Sequence, residues 1–155
     1  MPAPELIAAL TARFSAKPSA LGVEIPAASL LEAARALRDA HGYRYYVLGT
    51  GIERETAFEV VHALRNLETR DTLFVTVSVP KDAPAVDSIA FVYAGAEWQE
   101  REIWDLFGVT FRAHPDLRRI LMPDDYPGHP LRKSFAMDTP WGYRPATANP
   151  QPEGA

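Results

Sequence analysis

Apolar side chains recur at helical spacing in two early parts of the chain. The first stripe consists of Leu6, Ile7, Leu10 and Phe14. The second consists of Leu30, Ala34, Leu37 and His41. The first pattern predicts a short amphipathic helix. The second predicts a helix over residues 27–41, in which Ser29 and Glu32 have the spacing of a capping box and Gly42 ends the helix.

Three further segments have the residue pattern of β-strands. They are Tyr43–Leu48, Ala57–Arg65 and Thr72–Val79. Every second residue of the last two is apolar, and the short polar link 66–71 predicts that they form an antiparallel hairpin. A brief strand is expected at Val23 and Ile25. His62 falls on the apolar face, where a hydrogen-bonded core or edge histidine is a simpler interpretation than a ligand.

The helical pattern returns after a loop at residues 80–84. One stripe is formed by Val86, Ile89, Ala90 and Tyr93. A further helix is predicted from Ala96 to Phe107, with Gly108 as its end. Together the elements predict an α+β fold in which an antiparallel or mixed sheet packs on helices.

No period of 2 or 3.6 continues beyond Arg112, and eight of the 14 prolines lie in residues 115–152. We therefore expect an α+β core domain over residues 1–111 and an extended, irregular, Pro/Arg-rich docking arm with a mobile tail over residues 112–155. Apolar groups in such a segment must lie against a surface, which can belong to a partner or to the chain's own domain.

Composition narrows the possible functions. The 155 residues are 47% hydrophobic, carry a net charge of −4 and include no cysteine. The charge disfavours a nucleic-acid binder, and the lack of cysteine leaves no thiolate for an iron–sulfur cluster. No apolar run approaches the roughly 20 residues of a membrane span, and the N-terminal residues lack a secretory pattern, so we expect a chain without a span.

Glu100 falls on the apolar stripe of the predicted helix 96–107, where an unpaired carboxylate is costly. The basic side chains available to it in the arm are Arg118, Arg119, Arg132 and Lys133. We expect ion pairs between the helix and these residues to pin the arm. The helical residues expected to take part are Glu100, Arg101, Glu102 and Asp105. Glu100 and Glu102 point about 200° apart on a helix, which disfavours a paired acid and base.

Several acidic and histidine side chains of the arm are of the types that bind metals. They are His114, Asp116, Asp124, Asp125 and His129. Neighbouring prolines and basic residues disfavour a cation site. The sequence also lacks a Gly-rich phosphate loop and a nucleophile elbow, so we expect no catalytic, cofactor-binding or metal-binding residue in this chain.

Residues 100–108, 114–125 and 128–133 closely resemble the signature region of the 30 kDa (C) subunit family of NADH-quinone oxidoreductase, respiratory complex I. The resemblance implies a non-catalytic structural and assembly subunit of the peripheral arm, which docks on the quinone-site D subunit (the 49 kDa homologue) near the B and I subunits. NADH, FMN, iron–sulfur clusters and quinone would belong to the whole complex. This chain would be a peripheral part of the complex at the cell inner membrane, on the cytoplasmic side. The implied interface residues are Arg118, Arg119, Leu121, Met122, Pro123, His129, Pro130, Leu131, Arg132 and Lys133.

Two departures from the family pattern bear on this expectation. Lys133 is followed by Ser134, where the family commonly has an acidic residue, and the sequence ends at Ala155 without a longer extension, so a fused C–D chain is not expected. Three alternatives stay open. They are the equivalent subunit of an energy-converting hydrogenase, that of a ferredoxin- or F420-linked quinone reductase, and a stand-alone anion-binding module.

Overall fold

The computed structural model describes residues 3–20 and 22–135. The helices are α1 (Pro4–Phe14), α2 (Leu30–Asp39) and α3 (Ala96–Phe107), and a 3-10 turn at Ala27–Ser29 precedes α2. The strands are β1 (Lys17–Pro18), β2 (Gly22–Glu24), β3 (Tyr45–Glu53), β4 (Ala57–Arg65), β5 (Thr72–Pro80), β6 (Ala85–Asp87) and β7 (Thr110–Arg112). The predicted bounds of α3 and β4 are confirmed.

The five-stranded sheet has the order β1-β2-β5-β4-β3, and β6 and β7 form a separate two-stranded sheet. Neighbouring strands of the large sheet are antiparallel except for β2 and β5, which run parallel. The predicted hairpin of β4 and β5 is confirmed, and so is the α+β class with a mixed sheet.

The core lies on one face of the large sheet. Fully buried apolar residues come from the helices (Leu10 and Leu37) and from the strands (Val60 and Val77). Burying each such side chain contributes about 1.5–3 kcal/mol to folding, and these contacts hold the helices against the sheet. No helix of the described segments has the length and hydrophobicity needed to cross a membrane.

The helix predicted over the stripe Val86 to Tyr93 is wrong. Val86 lies in β6, which pairs in parallel with β7. Ile89 and Tyr93 share only a single turn, in which the Tyr93 amide donates to the Ile89 carbonyl at 2.8 Å. The apolar residues from Ile89 to Tyr93 have helical spacing because they form this one turn. Val86 does not extend the turn, because it pairs with Phe111 of β7 instead.

The capping box at Ser29 does not form either. Ser29 makes no side-chain cap hydrogen bond and has φ −101° and ψ −7°, because the 3-10 turn before α2 holds it in a helical conformation. An N-cap residue needs an extended backbone to turn its hydroxyl onto the first amides. His41 lies beyond the end of α2.

Strand β3 extends beyond Leu48, where the predicted segment ends, and runs to Glu53. Gly49 and Gly51, which look like turn residues, lie inside the strand because α3 packs closely against it. A Cβ atom at Gly51 would lie 2.8 Å from the ring of Phe107. The glycines therefore serve close helix–strand packing.

The chain from Ala113 to Phe135 contains neither helix nor strand, which confirms the irregular arm as far as the description reaches. The expected tail from residue 136 onward lies outside the described residues.

Candidate docking arm

The arm, residues 113–135, covers the C-terminal end of α3. The last carbonyl groups of a helix have no partner within the helix, and here the arm supplies donors. The pairs are His129 Nδ1 with the Asp105 carbonyl at 2.9 Å, the Leu131 amide with the Leu106 carbonyl at 3.0 Å, and Arg132 Nε with the Phe107 carbonyl at 2.6 Å. A cationic group at this end also opposes the negative end of the helix dipole.

The buried carboxylate of Asp105 organises the first half of the arm. Its Oδ1 accepts from Arg119 Nη1 at 2.6 Å. Its Oδ2 accepts from three consecutive backbone amides, those of Ile120 at 3.1 Å, Leu121 at 2.8 Å and Met122 at 2.8 Å. Burial by itself would raise the pKa of Asp105, but these donors outweigh it and lower the pKa below its ordinary value. Asp105 therefore stays ionised and fixes the path of the chain.

Arg119 points inward, although the resemblance implied a partner contact. Its side chain is 12% exposed, and beyond Asp105 it donates to the carbonyl groups of Tyr126 at 2.7 Å and Gly128 at 3.1 Å. The guanidinium carbon also lies 5.7 Å from the centre of the Trp104 ring. Arg119 thus joins two stretches of the arm to α3.

Arg101 lies one turn before Asp105 on the same face of α3 and also holds the arm. Its Nε donates to the Arg118 carbonyl at 3.1 Å and its Nη2 to the Arg119 carbonyl at 2.8 Å. The partners of this arginine are therefore backbone groups. Asp105 and Arg101 together bind main-chain groups of residues 118–122. This stretch of the arm is therefore held mainly through its backbone.

A second attachment lies near the end of the described arm. The amide of Lys133 donates to Glu53 Oε2 at 2.6 Å, and Lys81 Nζ lies 2.6 Å from Glu53 Oε1. The guanidinium of Arg132 lies 5.2 Å from the centre of the Phe58 ring. Sequence reasoning missed Glu53, because this residue lies 80 positions before its arm partner and no local pattern connects the two.

Glu100 is fully buried, as its place on the stripe predicts, but the expected arginine or lysine partner is wrong. Its Oε2 accepts from the Ser88 hydroxyl at 2.5 Å and its Oε1 from the Ile89 amide at 2.8 Å. The basic nitrogen that approaches it is His114 Nε2, 3.8 Å from Oε2. The pKa of Glu100 is raised to about 7 because burial outweighs the two hydrogen bonds.

Hydrogen bonds indicate the tautomer of His114. Its Nδ1 accepts from the Asp116 amide at 3.0 Å, so Nε2 carries the proton and donates to the Glu97 carbonyl at 2.9 Å. His114 thus begins the arm by tying it to the first turn of α3. The other histidine of the arm, His129, lies at the opposite end of α3 and bonds the Asp105 carbonyl.

Most of the remaining residues implied as interface are exposed. The exposed fraction is 71% for the side chain of Arg118, 58% for Leu121 and 52% for Leu131, and Pro123 and Lys133 are also exposed. Met122 and Pro130 are half-buried. Glu102 is exposed on α3. The predicted interface residues therefore fall into two groups. Arg119, His129 and Arg132 bind α3, whereas Arg118, Leu121, Leu131 and Lys133 are exposed to solvent.

The histidine expected in the core is found there. His62 is fully buried, and its Nδ1 lies 2.9 Å from the Tyr46 hydroxyl. Its Nε2 has no hydrogen-bond partner among the described residues. Burial lowers the pKa of His62 to about 4, so the ring is neutral near pH 7.

Comparison with known proteins gives consistent results. The family model described as "Respiratory-chain NADH dehydrogenase, 30 Kd subunit" matches residues 23–140. The C subunit of the NADH-quinone oxidoreductase of Geobacter metallireducens is 46% identical over 88 residues, which are 57% of this chain and 54% of that protein. The C subunit of the Phenylobacterium zucineum enzyme is 44% identical over 115 residues, covering 72% and 54%. That of Acidothermus cellulolyticus is 40% identical over 133 residues, covering 80% and 68%.

The chain spans about half the length of the first two of these relatives. Among solved structures, a trypsin-resistant fragment of Nqo5 aligns with a TM-score of 0.61 and 28% identity, covering 73% of this chain and 96% of the fragment. A chain of an archaeal membrane-bound sulfane sulfur reductase aligns with a TM-score of 0.72, covering 83% and 81%. Its identity is 24%, so that likeness concerns the fold alone.

Proposed function

Because this chain belongs to the respiratory-chain NADH dehydrogenase 30 kDa subunit family, we propose that it is a non-catalytic structural and assembly subunit in the peripheral arm of an NADH-quinone oxidoreductase. In this role it docks on the quinone-site D subunit, beside the B and I subunits. The complex then belongs to the cell inner membrane, and this chain is a peripheral member of it on the cytoplasmic side.

One observation carries the docking role. An arm without secondary structure is held by its main chain on α3, while Leu121 and Leu131 are 58% and 52% exposed. A segment whose backbone is already ordered loses less conformational entropy on binding than a disordered one. The exposed charge of Lys133, and that of Arg118, which also pairs with Asp116 at 2.8 Å, favour a partner surface that is apolar with acidic groups. In this proposal residues 1–111 are the core domain and residues 112–155 the docking segment.

The chemistry of the assembled enzyme is assigned to other subunits. The chain has no cysteine, so the thiolate ligands of iron–sulfur clusters come from elsewhere. NADH, FMN and quinone likewise bind to partners in this proposal. In this proposal the role of the chain is to hold those partner subunits in fixed positions relative to one another.

The docking role is tested by changing exposed arm residues only. We expect Leu121→Asp and Leu131→Asp to melt within a few degrees of the unchanged chain, because surface substitutions are usually within about 0.5 kcal/mol. Both should reduce co-purification with the D subunit, and both should reduce assembly on a native gel. Leu67→Asp is the matched control, since Leu67 is 63% exposed in the link between β4 and β5.

Normal incorporation of both arm variants would contradict docking through the arm. Loss of incorporation by Leu67→Asp as well would show that the assay reports a general effect of a surface charge. Charge reversal at Arg119 is unsuitable here, because it would place an acid against the buried Asp105.

A further inference from the structure

The outer edge of the large sheet is formed by β3, and its residues are unusual for an exposed edge. Strands at sheet edges are normally protected from pairing by lysine, proline or short length. At the opposite edge, β1 has two residues, Lys17 and Pro18. By contrast β3 has nine residues, and Glu53 is its only charged one. A bulge at Val47 interrupts the pairing of β3 with β4, but the pairing is regular from Leu48 to Glu53. Tyr45, Val47 and Leu48 on this strand are 53%, 40% and 38% exposed.

The hydrogen-bond pattern shows which backbone groups point away from β4. The Arg54 amide donates to the Ala57 carbonyl at 2.8 Å, so these residues form a hydrogen-bonded pair. Because such pairs alternate with non-bonded ones along an antiparallel ladder, the amide and carbonyl groups of Gly49, Gly51 and Glu53 face the open edge. The amide of Gly49 donates to the side chain of Gln99. No partner for the Gly51 amide is found in the described part of the chain.

A cleft of about 150 Å³ lies beside this edge at Gly51. Its lining combines β3, α3 and the arm. The lining residues are Thr50, Gly51, Glu102, Ile103, Leu106, Phe107 and Leu131. Most of the side chains are apolar, and the exposed carboxylate of Glu102 stands among them.

We propose that the edge of β3 at Gly51 is a strand-addition site, which binds an extended segment of a partner protein whose alternate side chains are apolar and include a lysine or arginine. The amide and carbonyl of Gly51 face the open edge, where they can form main-chain hydrogen bonds with an extended segment. Alternate residues of an added strand point to the same face, so its apolar side chains enter the cleft. The basic side chain pairs with the carboxylate of Glu102, and for this reason we expect the partner segment to carry a positive charge.

Leu131 belongs both to this cleft and to the proposed docking arm, but the isolated full chain with peptides tests the cleft without the D subunit, and Leu121→Asp tests docking outside the cleft. The probes are capped seven-residue peptides with threonine at odd positions and two valines and one lysine at even positions, the lysine being placed at each even position in turn. Amide signals of the labelled chain are followed by NMR during titration. We expect a saturable shift of the Gly51 amide, and no shift with peptides whose edge-facing nitrogens are methylated.

Charge exchange adds a second readout. We expect Glu102→Lys to weaken binding of the lysine peptide about tenfold and a glutamate peptide to bind this variant instead. Glu68→Lys makes the same change on the exposed β4–β5 link and should leave binding unchanged. Because Glu102 is exposed, its reversal should leave the fold intact, which the amide spectrum of the free variant checks.

Three results would overturn the proposal. One is the absence of a saturable shift with all three peptides. Another is protection of the Gly51 amide from solvent exchange in the isolated monomer, which would mean that the chain's own residues cover the edge. The third is a concentration-dependent dimer with the same protection, which would assign the edge to a second copy.

Discussion

The buried carboxyl of Glu100 should make the stability of this protein depend on pH in an identifiable way. Burial raises its pKa from an ordinary 4.5 to about 7, which corresponds to about 3 kcal/mol of unfolding free energy. Because the pKa is raised in the folded state, this contribution is fully present below about pH 4.5. It is lost as the pH rises through 7, since the carboxylate must then ionise inside the core.

Glu100→Gln isolates the effect. A glutamine can accept from the Ile89 amide with its oxygen and donate to the Ser88 hydroxyl with its nitrogen, so the two hydrogen bonds of the glutamate are replaced, but it does not ionise. The variant should gain stability relative to the unchanged chain by about 3 kcal/mol between pH 4.5 and pH 8. Urea unfolding followed by tryptophan fluorescence measures both chains at each pH.

The comparison must be made as a difference between chains. His62, with its pKa lowered to about 4, contributes stability that is lost as the pH falls from about 6.5, and this partly masks the effect of Glu100 in the unchanged chain alone. The difference cancels this effect because both chains retain His62. Glu68→Gln on the surface is the control. A difference that stays constant from pH 4.5 to pH 8 would refute the assignment of a raised pKa to Glu100.

Three other substitutions have defined outcomes. Asp105→Asn leaves the buried Arg119 without its counter-ion, and we expect a loss of about 2–4 kcal/mol in urea unfolding, with faster tryptic cleavage of the arm than in the unchanged chain. Gly108→Ala should cost about 1–3 kcal/mol on the same measurement, because its φ is +74° and the new Cβ would meet arm side chains at 2.5 Å; an unchanged melt would exclude this strain. Tyr46→Phe removes the hydroxyl that bonds His62 and should cost about 1 kcal/mol, whereas Tyr45→Phe on the surface should cost nothing measurable.

Elements with strong local signals could be predicted from the sequence. Helix α3 has an apolar stripe between Gly95 and Gly108, and β4 alternates between polar links, so their bounds follow from local rules. The irregular arm follows from its prolines. In each of these cases neighbouring residues in the sequence determine the structure.

What could not be predicted depends on distant contacts. The glycines of β3 resemble turn residues, and only the approach of α3 explains them as part of a strand. The acceptor role of Glu100 depends on Ser88 and Ile89, which lie in a loop within the stretch Val86 to Tyr93, whose apolar spacing predicts a helix. For Arg119, the sequence shows a basic residue in an irregular arm, and nothing local distinguishes a surface charge from the partner of Asp105.

The manner in which α3 holds the arm has a consequence for how such a surface can diversify. Asp105 binds the amides of three consecutive residues, and Arg101 binds two carbonyls, so apart from Arg119, whose guanidinium pairs with Asp105, these residues are held whatever side chains they carry. Leu121 could be replaced by many other amino acids without altering the course of the backbone. Variation at such outward positions could therefore retune recognition while the scaffold beneath keeps its geometry.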